Sequence, residues 1–349
     1  MNKIVMGNHK IGEEQPIFII AEIGVNHNGN IKIAKKLVDA AKAAKADCVK
    51  FQTFVTEEVI AQDAPLAQYQ KISSTAKTQR DLVKKLELSA AAFADLKRYV
   101  ENLDLVFLST PFDFKSIDLL AKLDVSGFKI SSGDLTNKPF IEKIASTGKP
   151  IILSTGMAEM HEIHESVEWI KKAGNSPYCL LQCTSSYPTQ IHDCNLTTIP
   201  ALEKEFKVPI GFSDHTTDSI AAIVSVGLGA KIIEKHITLD KKMDGPDHAL
   251  SMEPHELISF VSNIRKAENA IGDGIKRCLP CEIDVRNVAR KSIVAVNPLT
   301  KGAVIKKESV GIKRPGTGIE PKHLDGVISK RLKQNIGVDQ VISWSDLED

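Results

Sequence analysis

A chain of 349 residues exceeds one ordinary domain, and a barrel of about 250 residues would leave room for one small module. Hydrophobic residues make up 42% and charged residues 26%, a globular balance that excludes disorder, and with aromatics at 5% the core falls to Val, Ile, Leu and Ala, as in parallel α/β proteins. Lys and Arg number 45 against 44 Asp and Glu, so no global field draws the chain to nucleic acid or to an anionic membrane.

From the start, Met1 to Gln15 is polar and lacks the apolar stretch and small-residue cleavage site of a secretory signal. The first apolar run, Ile17 to Ala21, is far too short to span a bilayer. Cys48 and Cys183 sit in apolar runs, where thiols usually serve as small buried hydrophobes, and the six cysteines are scattered. A soluble protein of the reducing cytoplasm is expected.

Segments rich in β-branched residues then recur, each followed by a helical pattern: PIFIIAEIG (16–24), DCVKFQTF (47–54), LVFLSTPF (105–112), GFKISSGD (127–134), PIILSTG (150–156), YCLLQCTSS (178–186), PIGFSDHT (209–216) and KIIEKHITL (231–239). Apolar strands alternating with amphipathic helices predict a parallel sheet, and this many units favour a closed (β/α)8 TIM barrel over residues 1–275. The longest connection, Val55 to Asp104, holds a polar stretch, Gln62 to Gln79, read as a lid. The Gly- and Pro-containing stretch 276–286 reads as a linker, and residues 287–349 as a second domain, small for independent stability and expected to pack on another surface.

Most segments begin apolar and end polar, which marks the carboxyl ends of barrel strands, where active sites form. His215 and His236 end adjacent segments, aiming two imidazoles at one spot; that suits a catalytic Mn, Fe, Co or Zn ion better than a closed structural site. Lys50 and Lys129 are costly to bury unless an anion or carboxylate awaits them. With Thr110, Ser132, Ser154, Ser213 and the backbone of Gly133 and Gly156, they predict a cradle for phosphate and carboxylate. Glu22, Asp134, Asp214, Glu234 and Asp247 complete the rim, as substrate ligands, partners of a metal-bound His or general bases. More local roles also stand: Asp214 as a cap after His215 and Asp247 as a turn former, while His27 and Asn28 read either as a loop with a substrate role or as the turn and cap before a helix. The CLPC pair, Cys278 and Cys281, has no matching second pair.

Together these pieces resemble the sialic acid synthase family, the phosphoenolpyruvate-dependent nonulosonic acid synthases. The resemblance is carried in order by AEIGVNHNG (21–29), VKFQT (49–53), LSTPF (108–112), FKISSGD (128–134), LSTGM (153–157), LQCTSSYP (181–188), GFSDHT (211–216), IEKHITLD (233–240) and GPDHALSMEP (245–254). It implies a small C-terminal antifreeze-like (SAF, β-clip) domain and a domain-swapped homodimer in which Arg314 reaches the sugar's acylamino group. It further implies His215 and His236 as ligands of a divalent ion, manganese first, with magnesium or cobalt as alternatives. Lys50, Thr110, Lys129, Ser132, Ser154 and Ser213 would hold phosphoenolpyruvate; Glu22, Gln52, Asp134, Tyr187, Glu234 and Asp247 would surround the sugar and metal. Glu22 and Glu234 would handle protons, while Lys50 and Lys129 neutralise charge. The implied sugar is N-acetylmannosamine or a close acylamino-mannose; Asp134, where the bacterial N-acetylmannosamine branch is expected to carry Glu, keeps open N,N'-diacetyllegionaminate synthesis and the 6-phosphate branch. A Schiff-base aldolase using Lys50 or Lys129 is the rival enzyme class.

Overall fold

The computed structural model describes residues 3–62 and 78–348, so the stretch expected as a lid lies almost wholly outside the described residues. The chain divides into two compact units, Met1–Gly272 and Asp273–Asp349.

The first unit opens with a hairpin that the sequence reading treated only as a polar leader. Strands β1 (Ile4–Met6) and β2 (His9–Ile11) pair antiparallel across a Gly7-Asn8 turn. Gly7 holds φ at +61°, which a two-residue hairpin turn requires and glycine supplies without strain. Ile4, Met6 and Ile11 are buried in one cluster with Phe18, Ile20, Cys48, Leu108, Ile152, Leu181 and Ile232, so the hairpin packs against the apolar interior of the sheet. Burying each such side chain contributes roughly 1.5–3 kcal/mol.

Eight parallel strands follow: β3 (Phe18–Gly24), β4 (Cys48–Thr53), β5 (Val106–Pro111), β6 (Phe128–Ile130), β7 (Ile151–Ser154), β8 (Tyr178–Cys183), β9 (Ile210–Asp214) and β10 (Ile232–His236). Their ladder runs β5-β4-β3-β10-β9-β8-β7-β6, and β5 and β6 lie side by side at the remaining seam. This is the expected barrel with helices around it. The helices form because apolar residues recur at helical spacing: Ile31–Ala43 buries Ala34, Leu37, Val38 and Ala41, and begins where Asn30 accepts the backbone N–H groups of Lys32 and Ile33. Among the described residues no helix is long and apolar enough to cross a membrane.

The period of two along each strand divides the sheet's faces. Ile19, Ala21 and Ile23 of β3 join the large cluster with the helices, while Phe18 and Ile20 join the interior cluster. Continuing the interior parity on each strand places Glu22, Lys50, Gln52, Thr110, Lys129, Ser154, Cys183, Ser213, Glu234 and His236 above the apolar layer. One end of the barrel is therefore filled with hydrocarbon and the other lined with polar groups.

In the second unit, β11 (Ser292–Ala295) pairs antiparallel with β12 (Val310–Lys313). Ile293, Ala295, Ile305, Ile319, Val327, Leu332, Ile336, Ile342 and Leu347 form its small core. A short helix, Ile283–Ala289, precedes it.

Candidate active site

A cavity of about 390 Å³ opens among the carboxyl ends of the barrel strands. Lys50 on β4 sits between carboxylates, with its Nζ 2.7 Å from Glu22 and 3.7 Å from Glu234, and donates to the Thr110 hydroxyl at 3.1 Å. Lys129 on β6 donates to Ser154 Oγ at 2.6 Å and to the Ile130 carbonyl at 3.2 Å, and lies 4.0 Å from Glu234. Ser213 donates to Glu234 at 3.0 Å. The Gly156 N–H donates to Ser132 Oγ at 3.0 Å.

Burying so many charges together separates their proton affinities. Burial raises the Glu22 carboxyl, with the Glu234 charge adding to the effect against the pull of Lys50. Burial acts on Glu234 in the same sense, but Lys129 and Lys50 outweigh it and hold that carboxyl low. Burial pushes the Lys129 ammonium down, whereas the two carboxylates hold Lys50 up against the same penalty. The site thus holds two carboxyls of unequal proton affinity, Glu22 the higher and Glu234 the lower.

The imidazoles of His215 and His236 face each other with ring centroids 5.8 Å apart, and Tyr187 packs over His215 at 4.3 Å. His215 Nδ1 donates to the Thr184 carbonyl at 2.8 Å, so Nε2 is the nitrogen left to bind an ion; burial lowers the pKa of this ring, but its contacts with Cys183 and the Thr184 carbonyl outweigh that and raise it. His236 is buried, its Nδ1 has no hydrogen-bond partner among the described residues, and burial keeps its pKa well below the usual range. Two facing imidazoles, that of His236 with an orphaned buried ring nitrogen, fit a divalent ion. No group of three or more His, Cys, Asp or Glu among the described residues is arranged to hold a metal, so any ion here would take further ligands from water or substrate.

Most residues picked from the sequence line this cavity: Glu22, Lys50, Gln52, Thr110, Lys129, Ser132, Ser154, Tyr187, Ser213, His215, Glu234 and His236. Asp134 does not; its carboxylate accepts from Ser131 Oγ at 2.7 Å and Asn137 Nδ2 at 3.2 Å. Asp247 stands outside the lining but close enough to feel His215 and Lys50, and burial raises its carboxyl to about 6 against their pull. Arg314 belongs to the second unit. Asp214 caps a turn rather than a helix, accepting from Thr216 N and Oγ1, and His27 accepts from Gly29 N within its loop while Asn30 caps the helix.

Sequence reasoning missed Phe112, Ser131, Met157, Cys183 and Ser185 in the cavity wall. Cys183 was expected as an inert core thiol; its Sγ instead lies 3.9 Å from His215 Nδ1 and 3.8 Å from Ser132 Oγ. Its parity with Cys179 and Leu181 was the available signal. Met157 adopts φ +63°, a left-handed conformation uncommon for a non-glycine residue and concentrated at functional sites.

A β/α barrel that gathers paired lysines, hydroxyls, carboxylates and two histidines at one strand-end cavity is an enzyme built for an anionic substrate. The NeuB family pattern matches residues 37–276 and the SAF domain pattern residues 290–348. The chain is 41% identical to the N,N'-diacetyllegionaminic acid synthase of Legionella pneumophila, across 99% of each chain. It is 36% identical to the N-acetylneuraminate-9-phosphate synthase of Homo sapiens, across 95% of this chain and 93% of that one. The crystal structure of the N-acetylneuraminic acid (sialic acid) synthetase of Leptospira borgpetersenii superimposes with a TM-score of 0.73 and 36% identity, covering 82% of this chain and 96% of the other. The chain belongs to the NeuB family of nonulosonic acid synthases.

Proposed function

We propose that this enzyme condenses phosphoenolpyruvate with the aldehyde of an open-chain acylamino-mannose and releases inorganic phosphate. The observation that carries the reading is the convergence of Lys50 and Lys129, with Thr110, Ser132, Ser154 and Ser213, on the cavity that also holds His215 and His236. Such a cradle suits a small substrate bearing both phosphate and carboxylate.

In the reaction, the methylene carbon of phosphoenolpyruvate bonds to the aldehyde carbon. Water adds to the electron-poor carbon left behind, and the tetrahedral centre breaks its C–O bond to phosphate. Lys50 and Lys129 hold the anionic groups. Glu22, the carboxyl of higher proton affinity, protonates the oxygen of the former aldehyde and, ionised by that transfer, takes a proton from the attacking water, while Glu234 stays ionised beside the lysines. His215 and His236 would hold the divalent ion, manganese, with magnesium or cobalt as alternatives. When bound there it supplies Lewis acidity toward the aldehyde oxygen.

Among sugars, the proposal favours the uncharged 2,4-diacetamido-2,4,6-trideoxymannose over N-acetylmannosamine and its 6-phosphate. Phe112 and Met157 give the cavity wall an apolar part suited to a deoxy carbon, and the Legionella relative is an N,N'-diacetyllegionaminic acid synthase. Asp247 and Gln52 are assigned to sugar hydroxyls, and Asp134 to the same side through a water.

The working unit is proposed to be a cytoplasmic homodimer that exchanges its SAF domains, bringing Arg314 of one copy to the sugar of the other. Support comes from the exposed apolar residues of the connecting segment: Ile275, Leu279, Ile283, Val285 and Val288 are 45–66% exposed in a single chain. The six free cysteines accord with a reducing compartment.

Phosphate release with phosphoenolpyruvate and manganese, measured against the three sugars in parallel, tests the assignment. The deoxy sugar should give the highest kcat/KM. A clear preference for the 6-phosphate would overturn the sugar choice, and release with none of them the reaction.

A further inference from the structure

Lys235 lies between Glu234 and His236 on β10, but its parity turns it away from the cavity, where its side chain is 1% exposed. A charge so deeply buried persists only when paired and fully hydrogen-bonded. Its Nζ meets Asp214 Oδ2 at 3.0 Å, donates to the Asp218 carbonyl at 3.2 Å and to the Thr216 carbonyl, and lies 5.7 Å from the Phe260 ring centroid. Asp214 in turn receives Thr216 N at 2.9 Å and Thr216 Oγ1 at 2.7 Å.

The geometry of these bonds surrounds one residue. Asp214 and Thr216 flank His215, and Lys235 flanks His236. Lys235 and Asp214 stand opposite in the parallel register of β10 and β9, as do Glu234 and Ser213. The outer ion pair therefore ties the two strand ends back to back while the Ser213–Glu234 hydrogen bond ties them on the cavity face. The loop leaving β9 closes on the Lys235 ammonium through the carbonyls of Thr216 and Asp218, which holds the backbone after His215, while the Asp214 carboxylate ties the residue before it to the same ammonium.

We propose that Lys235, acting through Asp214 and Thr216, is a positioning residue that sets the spacing of His215 and His236 for a shared divalent cation. The proposal rests on the reading of those histidines as metal ligands. An ordinary buried ion pair would serve stability alone, and the two roles separate in metal affinity measured on folded protein.

The test is manganese binding by calorimetry, with thermal melting recorded alongside, on the wild type, Thr216→Val, Lys235→Met and the double variant Asp214→Asn with Lys235→Met. Lys235→Met leaves the Asp214 carboxylate buried without its cation and is expected to melt lower; the double variant removes both charges and should recover much of that loss. Thr216→Val is the mildest change and keeps the ion pair. The expected result is manganese affinity about 10- to 100-fold weaker in the double variant, the range for outer partners of metal ligands, and a smaller loss in Thr216→Val. Manganese affinity within twofold of wild type in a folded double variant, or in Thr216→Val if the double variant does not fold, overturns the proposal. A wild type that binds no manganese, or a His215→Ala variant that binds it normally, would instead defeat the underlying metal reading.

Discussion

Replacing Lys129 by Met removes one positive charge from the proposed phosphoenolpyruvate cradle while preserving most of the aliphatic stem. Among the described residues Lys129 has a hydroxyl at 2.6 Å, a carbonyl at 3.2 Å and one carboxylate, at 4.0 Å, as partners. Glu234 loses one of its two cations but remains 3.7 Å from Lys50 and keeps its bond from Ser213 at 3.0 Å. A unit anion about 4 Å from the ammonium would gain about 4 kcal/mol at an effective dielectric near 20, before desolvation. Charge-assisted hydrogen bonds net about 1.5–3 kcal/mol, so phosphoenolpyruvate should bind about 10- to 150-fold more weakly. Calorimetric titration of wild type and variant with phosphoenolpyruvate reads this directly, with a melting curve to show that the variant folds. A folded variant binding within twofold of wild type would refute the role given to Lys129. Borohydride with the sugar should trap no adduct on the wild type; an adduct on Lys50 or Lys129 would revive Schiff-base chemistry.

His215→Ala and His236→Ala should each lower bound manganese, measured by metal analysis after dialysis, together with turnover; lost turnover at full metal content would argue against direct ligation. Gly156→Ala drives a Cβ into Ser185 Oγ and to 2.8 Å from Ser132 Oγ, displacing the Ser132 hydroxyl from the cradle. The loss of about one hydrogen bond should raise KM for phosphoenolpyruvate about 2- to 12-fold, and an unchanged KM would remove Ser132 from the binding set. Arg314→Ala should raise KM for the sugar more than for phosphoenolpyruvate, and mixing it with an inactive barrel variant should restore part of the activity; failure of such mixed dimers to recover would count against domain exchange.

The barrel was legible because each strand carries its own signal, a short β-branched run whose last residues turn polar, and because parity along β3, β4 and β10 sends Glu22, Lys50, Glu234 and His236 to one side. Lys129 was legible even within the three-residue strand Phe128–Ile130, since a lysine between two aliphatic or aromatic neighbours has one face to occupy. The hairpin Ile4–Ile11 was overlooked because three-residue strands give no lasting period, although Gly7-Asn8 between Met6 and His9 is a turn signature. Cys183 was misjudged by residue type where parity was the better guide. Lys235 escaped notice because its meaning lies in the register between β9 and β10, which no single segment encodes. Asp134 stood out as a departure in a motif, yet its bonds to Ser131 and Asn137 are local ones typical of a turn carboxylate.

The central claim is that phosphoenolpyruvate loses phosphate by cleavage of its C–O bond as a carbon–carbon bond forms. Phosphoenolpyruvate labelled with oxygen-18 in the bridging position, incubated with the enzyme, manganese and the diacetamido sugar, tests it directly by mass spectrometry of both products. The account predicts that the label leaves with inorganic phosphate and that the nine-carbon acid carries ordinary oxygen at its second carbon. Label retained in the acid, with unlabelled phosphate, would contradict it.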